Sequence, residues 1–195
     1  MVSRKMSNAE YYNCDGSKCN ELNHVPLSME SFDWSRMLDG NGNATTRDQL
    51  ADIVVVFISK GWCKYCCQIS PILNQIQQHN KDKFSLVILN HSFIEKPYQE
   101  EGFKTFMHDK QFYNMNYQPS TSQELIDFRL FLRDHAIEFP AFFVFDNVTG
   151  KIITNDGYNA IKSVCDLKAD VGLFELCKEE FRTKVVGCWE DGLKA

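Results

Sequence analysis

No run of apolar residues in this chain approaches the ~20 needed to cross a bilayer as a helix. The first ten residues, Met-Val-Ser-Arg-Lys-Met-Ser-Asn-Ala-Glu, lack the apolar core of a secretory signal. Lysine and arginine (21) are outnumbered by aspartate and glutamate (26), giving a net charge of −5. That balance lacks the basic footprint of a nucleic-acid binder. The five histidines, His24, His79, His91, His108 and His135, show no metal-type spacing, and there are no internal repeats. These gaps leave one expectation: a globular, intracellular protein that engages neither membrane nor nucleic acid. At 195 residues, 44% hydrophobic, the chain suits one domain with a real core and a tail.

Cysteine, by contrast, is plentiful: Cys14, Cys19, Cys63, Cys66, Cys67, Cys165, Cys177 and Cys188. In a small secreted protein that count suggests a disulfide framework. Without a signal, and with so many apolar residues, reduced thiols with one active pair are the better reading. The pair is Cys63 and Cys66, within Trp62-Cys63-Lys64-Tyr65-Cys66, with Pro71 eight residues after the first cysteine. The motif follows the apolar run Ile53 to Ile58 and opens a segment with helical periodicity. A helix N-terminus offers unpaired N–H groups and partial positive charge, which favour a thiolate on Cys63. Lys64 adds charge nearby. Cys66, one turn further in, is positioned to close a disulfide with Cys63.

Ile53–Ile58 and Phe84–Leu89 read as strands buried on both faces. Ile69, Ile72, Leu73 and Ile76 form a helix stripe, with Pro71 inside it as an expected kink. Helices are expected over about 97–109 and 121–135, the second opened by the capping box Thr121-Ser-Gln-Glu124. Strands 141–145 and 151–154 flank a hairpin connection ending in Gly150, and a last helix spans about 166–183. Phe32–Leu38 is a short lead-in element, and Asp39–Asn43 a turn. The order β-α-β-α-α-β-β-α predicts parallel pairing with an antiparallel closing hairpin.

Several of these features together resemble the thioredoxin fold: the element order, Trp-Cys-x-x-Cys with its proline, and Phe139-Pro140 before a strand and hairpin. Within it, Glu100-Glu101-Gly102-Phe103 is similar to a helix motif of nucleoredoxins and tryparedoxins. Phe139-Pro140-Ala141, Asp146 with Gly150-Lys151, and Thr154-Asn155-Asp156-Gly157 resemble the same branch. So does the 77-position spacing from Cys63 to Pro140, which includes an insertion. The resemblance covers about residues 30–165.

It implies an α/β, thioredoxin-like fold: a central mixed sheet flanked by helices, with an inserted helix pair before a cis-proline at Pro140. Residues 1–28 would be a flexible extension, and 29–195 the domain with its C-terminal helical segment. It implies a thiol–disulfide oxidoreductase with Cys63 as nucleophile and Cys66 as resolving cysteine. Trp62, Lys64, Tyr65, Phe139 and Pro140 would form the substrate surface. No cofactor beyond a Cys63–Cys66 redox disulfide, and no metal, is expected. Partners would be disulfide-containing proteins or small dithiols and an upstream dithiol reductant, in the cytoplasm or the nucleus.

The chain departs from the pattern in four places. The branch usually has prolines between its cysteines, where Lys64 and Tyr65 stand. Thioredoxin proper has a buried acid where this chain has Phe57. Cys67 has no counterpart; on a helix it points about 100° from Cys66 and reads as a small buried residue, with competition for Cys63 the alternative. The segment after about residue 165 has none either. Cys14 and Cys19 read as thiols on a mobile tail, able also to pair or to join a metal site. Cys165, Cys177 and Cys188 read as packing or surface thiols, and His91 as a surface histidine near the active edge. Two other functions fit the residues: an interaction module with weak redox activity, and metal binding by Cys63, Cys66 and Cys67.

Overall fold

The structure is a computed structural model, and it describes residues 27–59, 64–90, 113–115, 130–132, 134–135, 137, 139–164 and 179–194. Its centre is β2 (Ile53–Ser59), buried along its whole length. The β-branched residues of this run suit an extended backbone crowded on both faces. On one side β2 pairs in parallel with β3 (Phe84–Asn90), in register from Ile53↔Phe84 to Ser59↔Asn90. On the other it pairs antiparallel with β5 (Ala141–Asp146), from Ile53↔Asp146 to Ile58↔Ala141. Outside these lie β4 (Tyr113–Met115), β1 (Met37–Leu38) and β6 (Ile152–Thr154). The six-stranded order is β1-β4-β3-β2-β5-β6, a mixed sheet as expected.

Alternate residues of the inner strands feed two cores. Val55, Phe57, Leu86, Ile88, Phe142 and Val144 face the helices. These are α1 (Lys64–His79), α2 (Gly157–Val164), the π-helical turn Arg182–Val186 and α3 (Gly187–Gly192). Val54, Val56, Ile58, Val87, Leu89 and Phe145 face the segment from Leu27 to Met37 together with Leu132 and Ile137. Gln77 ties α1 to the sheet: its Oε1 accepts from Leu86 N–H at 2.7 Å and its Nε2 donates to the Phe84 carbonyl at 3.3 Å. Both groups of a buried amide are thereby satisfied.

The hairpin β5–β6 is anchored from outside the sheet. Gly150 turns with φ 73°, and a Cβ there would lie 2.7 Å from the Glu30 carboxylate. The Gly150 carbonyl accepts from Met29 N–H at 3.0 Å. Arg47 donates through Nη2 to the Asn147 carbonyl at 2.6 Å. Leu27 already packs on the second core and Ser28 already precedes the first 3-10 turn, so the folded part begins before Met29.

The four long-range strands match their expected positions, while β1 and β4 were not foreseen. α1 runs through Pro71 as one uninterrupted helix. The expected helices over 97–109 and 121–135 lie outside the described residues, except for helical residues 130–132 and 134. Most of the expected last helix, 166–178, lies outside them too. Its end is displaced: helical structure continues past 183 to Gly192. The reason is the stripe Phe181, Val185, Trp189 at i, i+4, i+8, all buried against the first core. α2 was also unforeseen; Ile161 is its buried apolar side chain, with Tyr158, Ala160 and Val164 partly buried against the same core.

Trp189 closes this packing, 3% exposed, edge-on to Phe84 at 5.6 Å and to Phe181 at 6.2 Å. The ion pairs Lys83–Glu190 (2.7 Å) and Arg182–Asp82 (2.8 Å) flank it on the surface. Exposed pairs of this kind contribute about 0–1 kcal/mol, so the aromatic contact dominates. Trp189→Ala is expected to cost about 3–5 kcal/mol in urea unfolding. A loss no larger than that of a surface substitution would show that the C-terminal segment is not part of the cooperative core.

Candidate functional site

β2 leaves the sheet at Ser59 and α1 starts at Lys64. Between them lie Lys60, Gly61, Trp62 and Cys63, outside the described residues. Of the expected site, the structure therefore describes the first turn of α1 and the proline loop. Tyr65 and Cys66 are neighbours on that turn, about 100° apart around the axis, one turned to solvent and the other to the core. Tyr65 is 60% exposed; Cys66 is 1% exposed and belongs to the first core with Phe57 and Ile69. The side chains of Lys64 and Cys67 lie outside the described residues.

The proline loop is brought to the same end of the sheet by strand register. Ala141 opens β5 opposite Ile58, so Pro140, one residue before it, stands level with the exit of β2. The Phe139–Pro140 peptide is cis, as the resemblance implies. Phe139 is half-buried and packs against both cores, which fixes the loop over the sheet edge. Hence the exposed Tyr65, the buried Cys66 and the cis-proline all converge where β2 ends and α1 begins.

Phe57, at the position where thioredoxin proper carries an acid, is fully buried and stacks on Phe142 at 4.4 Å with rings 11° apart. Tyr158 of α2 continues the stack, 6.0 Å from Phe142. Reading the sequence did not pair these aromatics. The signal was available in the antiparallel register, which sets Phe57 directly opposite Phe142. Buried polar side chains among the described residues are Thr45, Ser59, Gln77, Asn80 and Ser85, none of them a carboxylate, an imidazole or an ammonium.

Cys14, Cys19, Cys165, Cys177 and His91 lie outside the described residues. Cys188 is exposed on α3, at the wall of an open cleft of about 440 Å³ with Thr154, Asp156, Asn159 and Trp189. It is remote in the chain from the dithiol motif and was not expected to adjoin a cleft. Among the described residues there is no cluster of His, Cys, Asp or Glu able to hold a metal, and no helix long and apolar enough to cross a membrane.

No family model and no curated protein matches the chain. Solved structures do. Tryparedoxin II in complex with glutathionylspermidine matches with a TM-score of 0.55 at 15% identity, over 69% of this chain and 89% of that one. Tryparedoxin from Trypanosoma brucei matches at 0.54 and 15% identity, over 70% and 92%. Native tryparedoxin I from Crithidia fasciculata matches at 0.53 and 16% identity, over 70% and 89%. The chain has the thioredoxin fold. Within that fold, the structures it is similar to include these tryparedoxins.

The opposite exposures of Cys66 and Cys188 are directly measurable. Brief alkylation of the reduced native protein with iodoacetamide, followed by peptide mass mapping, is expected to label Cys188 at least several-fold faster than Cys66. Equal rates would contradict the burial of Cys66.

Proposed function

We propose that this protein is a thiol–disulfide oxidoreductase that reduces protein or small-molecule disulfides through Cys63 and Cys66. The observation that carries the reading is the convergence at one sheet end: α1, which opens on the dithiol motif, and the cis Phe139–Pro140 peptide, level with the exit of β2.

The chemistry follows from the motif. Cys63 immediately precedes α1, whose unpaired N–H groups favour a thiolate. That thiolate attacks a substrate disulfide and forms a mixed disulfide. Cys66 then attacks Cys63 Sγ, releases the substrate as a dithiol and leaves a Cys63–Cys66 disulfide. An upstream dithiol reductant restores the pair, so no prosthetic group is required. The Phe139 backbone offers an extended substrate strand-like pairing. Tyr65, exposed beside Cys66, contributes with Trp62 and Lys64 to partner choice. The presence of glutathionylspermidine in one tryparedoxin II structure supports small thiol–disulfide partners for a site of this fold. The chemistry suits a reducing compartment such as the cytoplasm or nucleus, where a dithiol stays reduced.

The test is turnover of a disulfide-bonded peptide with dithiothreitol as reductant. Cys63→Ser is expected to lower the rate to that of dithiothreitol alone. Cys66→Ser is expected to leave the peptide covalently attached to Cys63, visible by non-reducing mass spectrometry. Full activity in Cys63→Ser would end the oxidoreductase reading and favour an interaction module.

A further inference from the structure

α1 opens on the dithiol motif and carries Gln77 in its last turn. The apolar stripe between them, Ile69, Ile72, Leu73 and Ile76, is buried in the first core. Apolar burial is non-directional, so it holds the helix on the sheet without setting its position along the strands. Hydrogen bonds are directional and do set it.

Gln77 supplies such bonds at a defined place. β2 pairs with β3 along its whole length, from Phe84 to Asn90. On the other side β4 pairs only with Val87 to Leu89 among the described residues. The start of β3, Phe84 to Leu86, thus has a strand partner on one side only among the described residues. A parallel strand residue opposite Ser85 would donate its N–H to the Phe84 carbonyl and accept from the Leu86 N–H. The Gln77 amide makes the same pair of bonds: Nε2 donates to the Phe84 carbonyl at 3.3 Å, and Oε1 accepts from Leu86 N–H at 2.7 Å. Asn80, fully buried just past α1, continues this ladder. Its carbonyl accepts from Phe84 N–H at 3.2 Å, and its Nδ2 donates back to the Ile76 carbonyl at 2.9 Å. The end of α1 therefore takes the place of a strand along the start of β3.

We infer that Gln77 is a positioning residue for the dithiol: by bonding the last turn of α1 to β3 it fixes the helix along the sheet, and with it the first turn, relative to the Phe139–Pro140 loop. The inference rests on the oxidoreductase reading. The strand register puts both ends in one frame. Phe84 stands opposite Ile53 at the start of β2, and Ala141 stands opposite Ile58 near its exit. α1 runs from that exit back to the start of β3, so the Gln77 anchor and the cis-proline lie at opposite ends of the same helix. A slip of α1 along its axis carries its first turn with it, and a misplacement of about 1 Å far from the chemistry can cost about 100-fold in rate. The cost falls on a partner whose backbone pairs with the proline loop, because its disulfide is then presented at one place. A small disulfide free to approach from solution needs only an accessible thiolate.

The test compares wild type with Gln77→Met on two substrates, a disulfide-bonded peptide and 2-hydroxyethyl disulfide, which has no backbone to pair with the loop. Rates are taken above those of dithiothreitol alone, where circular dichroism shows each protein folded. Methionine is close to glutamine in size but has no N–H donor and only a weak acceptor. Leu50→Ala, in the second core on the other face of the sheet, controls for lost stability. Gln77→Met is expected to lose at least about tenfold on the peptide and to stay within about twofold on the small disulfide. Leu50→Ala is expected to spare both rates. Amide exchange in the wild-type protein is an independent readout that does not need the variant to fold: Leu86 N–H should exchange as slowly as the amides of β2. Unchanged peptide turnover in Gln77→Met, equal losses on both disulfides, the same selective loss in Leu50→Ala, or fast exchange at Leu86 overturns this inference and leaves the oxidoreductase reading standing. Turnover of neither disulfide by the wild-type protein overturns both.

Discussion

The structure depends on the double pairing of β2. Seven residues, Ile53 to Ser59, bond to β3 on one side, and six of them to β5 on the other. Every one of the seven is buried. Because the side-chain period of a strand is two, a slip of one residue would exchange the two cores. Val55 and Phe57 would then meet the N-terminal segment, and Val56 and Ile58 would meet α1. The register therefore fixes more than the sheet. It sets Pro140 against the exit of β2, sets Phe57 against Phe142, and aims the chain into α1.

Local pattern was legible where burial on both faces forced it. The β-branched run at β2, the run at β3, and the Phe-rich β5 have no other stable use for so much apolar surface. The helix stripe of α1 read through Pro71, since at position eight of a 16-residue helix the surrounding packing on the sheet outweighs one lost backbone bond. β1 and β4 could not be read. They are two and three residues long, and they exist only because each is bonded to a strand remote in sequence. The C-terminal helical stripe was legible in principle. Phe181, Val185 and Trp189 have regular spacing, but Arg182, Thr183 and Lys184 between them gave it a polar look.

The site was legible in part for a similar reason. A dithiol motif after a buried strand and before a helix carries its chemistry in local sequence, and the proline loop is marked by Phe139-Pro140. What surrounds the second cysteine is set by strand register and by α2, neither of which is local. The aromatic stack of Phe57, Phe142 and Tyr158 thus emerges only from the fold. Cys66 lies in the same core cluster as Phe57 and Phe142, with Tyr158 packed against it.

The most direct test of the account is an equilibrium redox titration of the intact protein in glutathione buffers, with acid quenching, alkylation and peptide mass mapping. The account predicts a reversible Cys63–Cys66 disulfide that titrates with a single midpoint as a two-electron couple. Failure of these two cysteines to pair at any buffer ratio, or pairing of either with another cysteine instead, would contradict it.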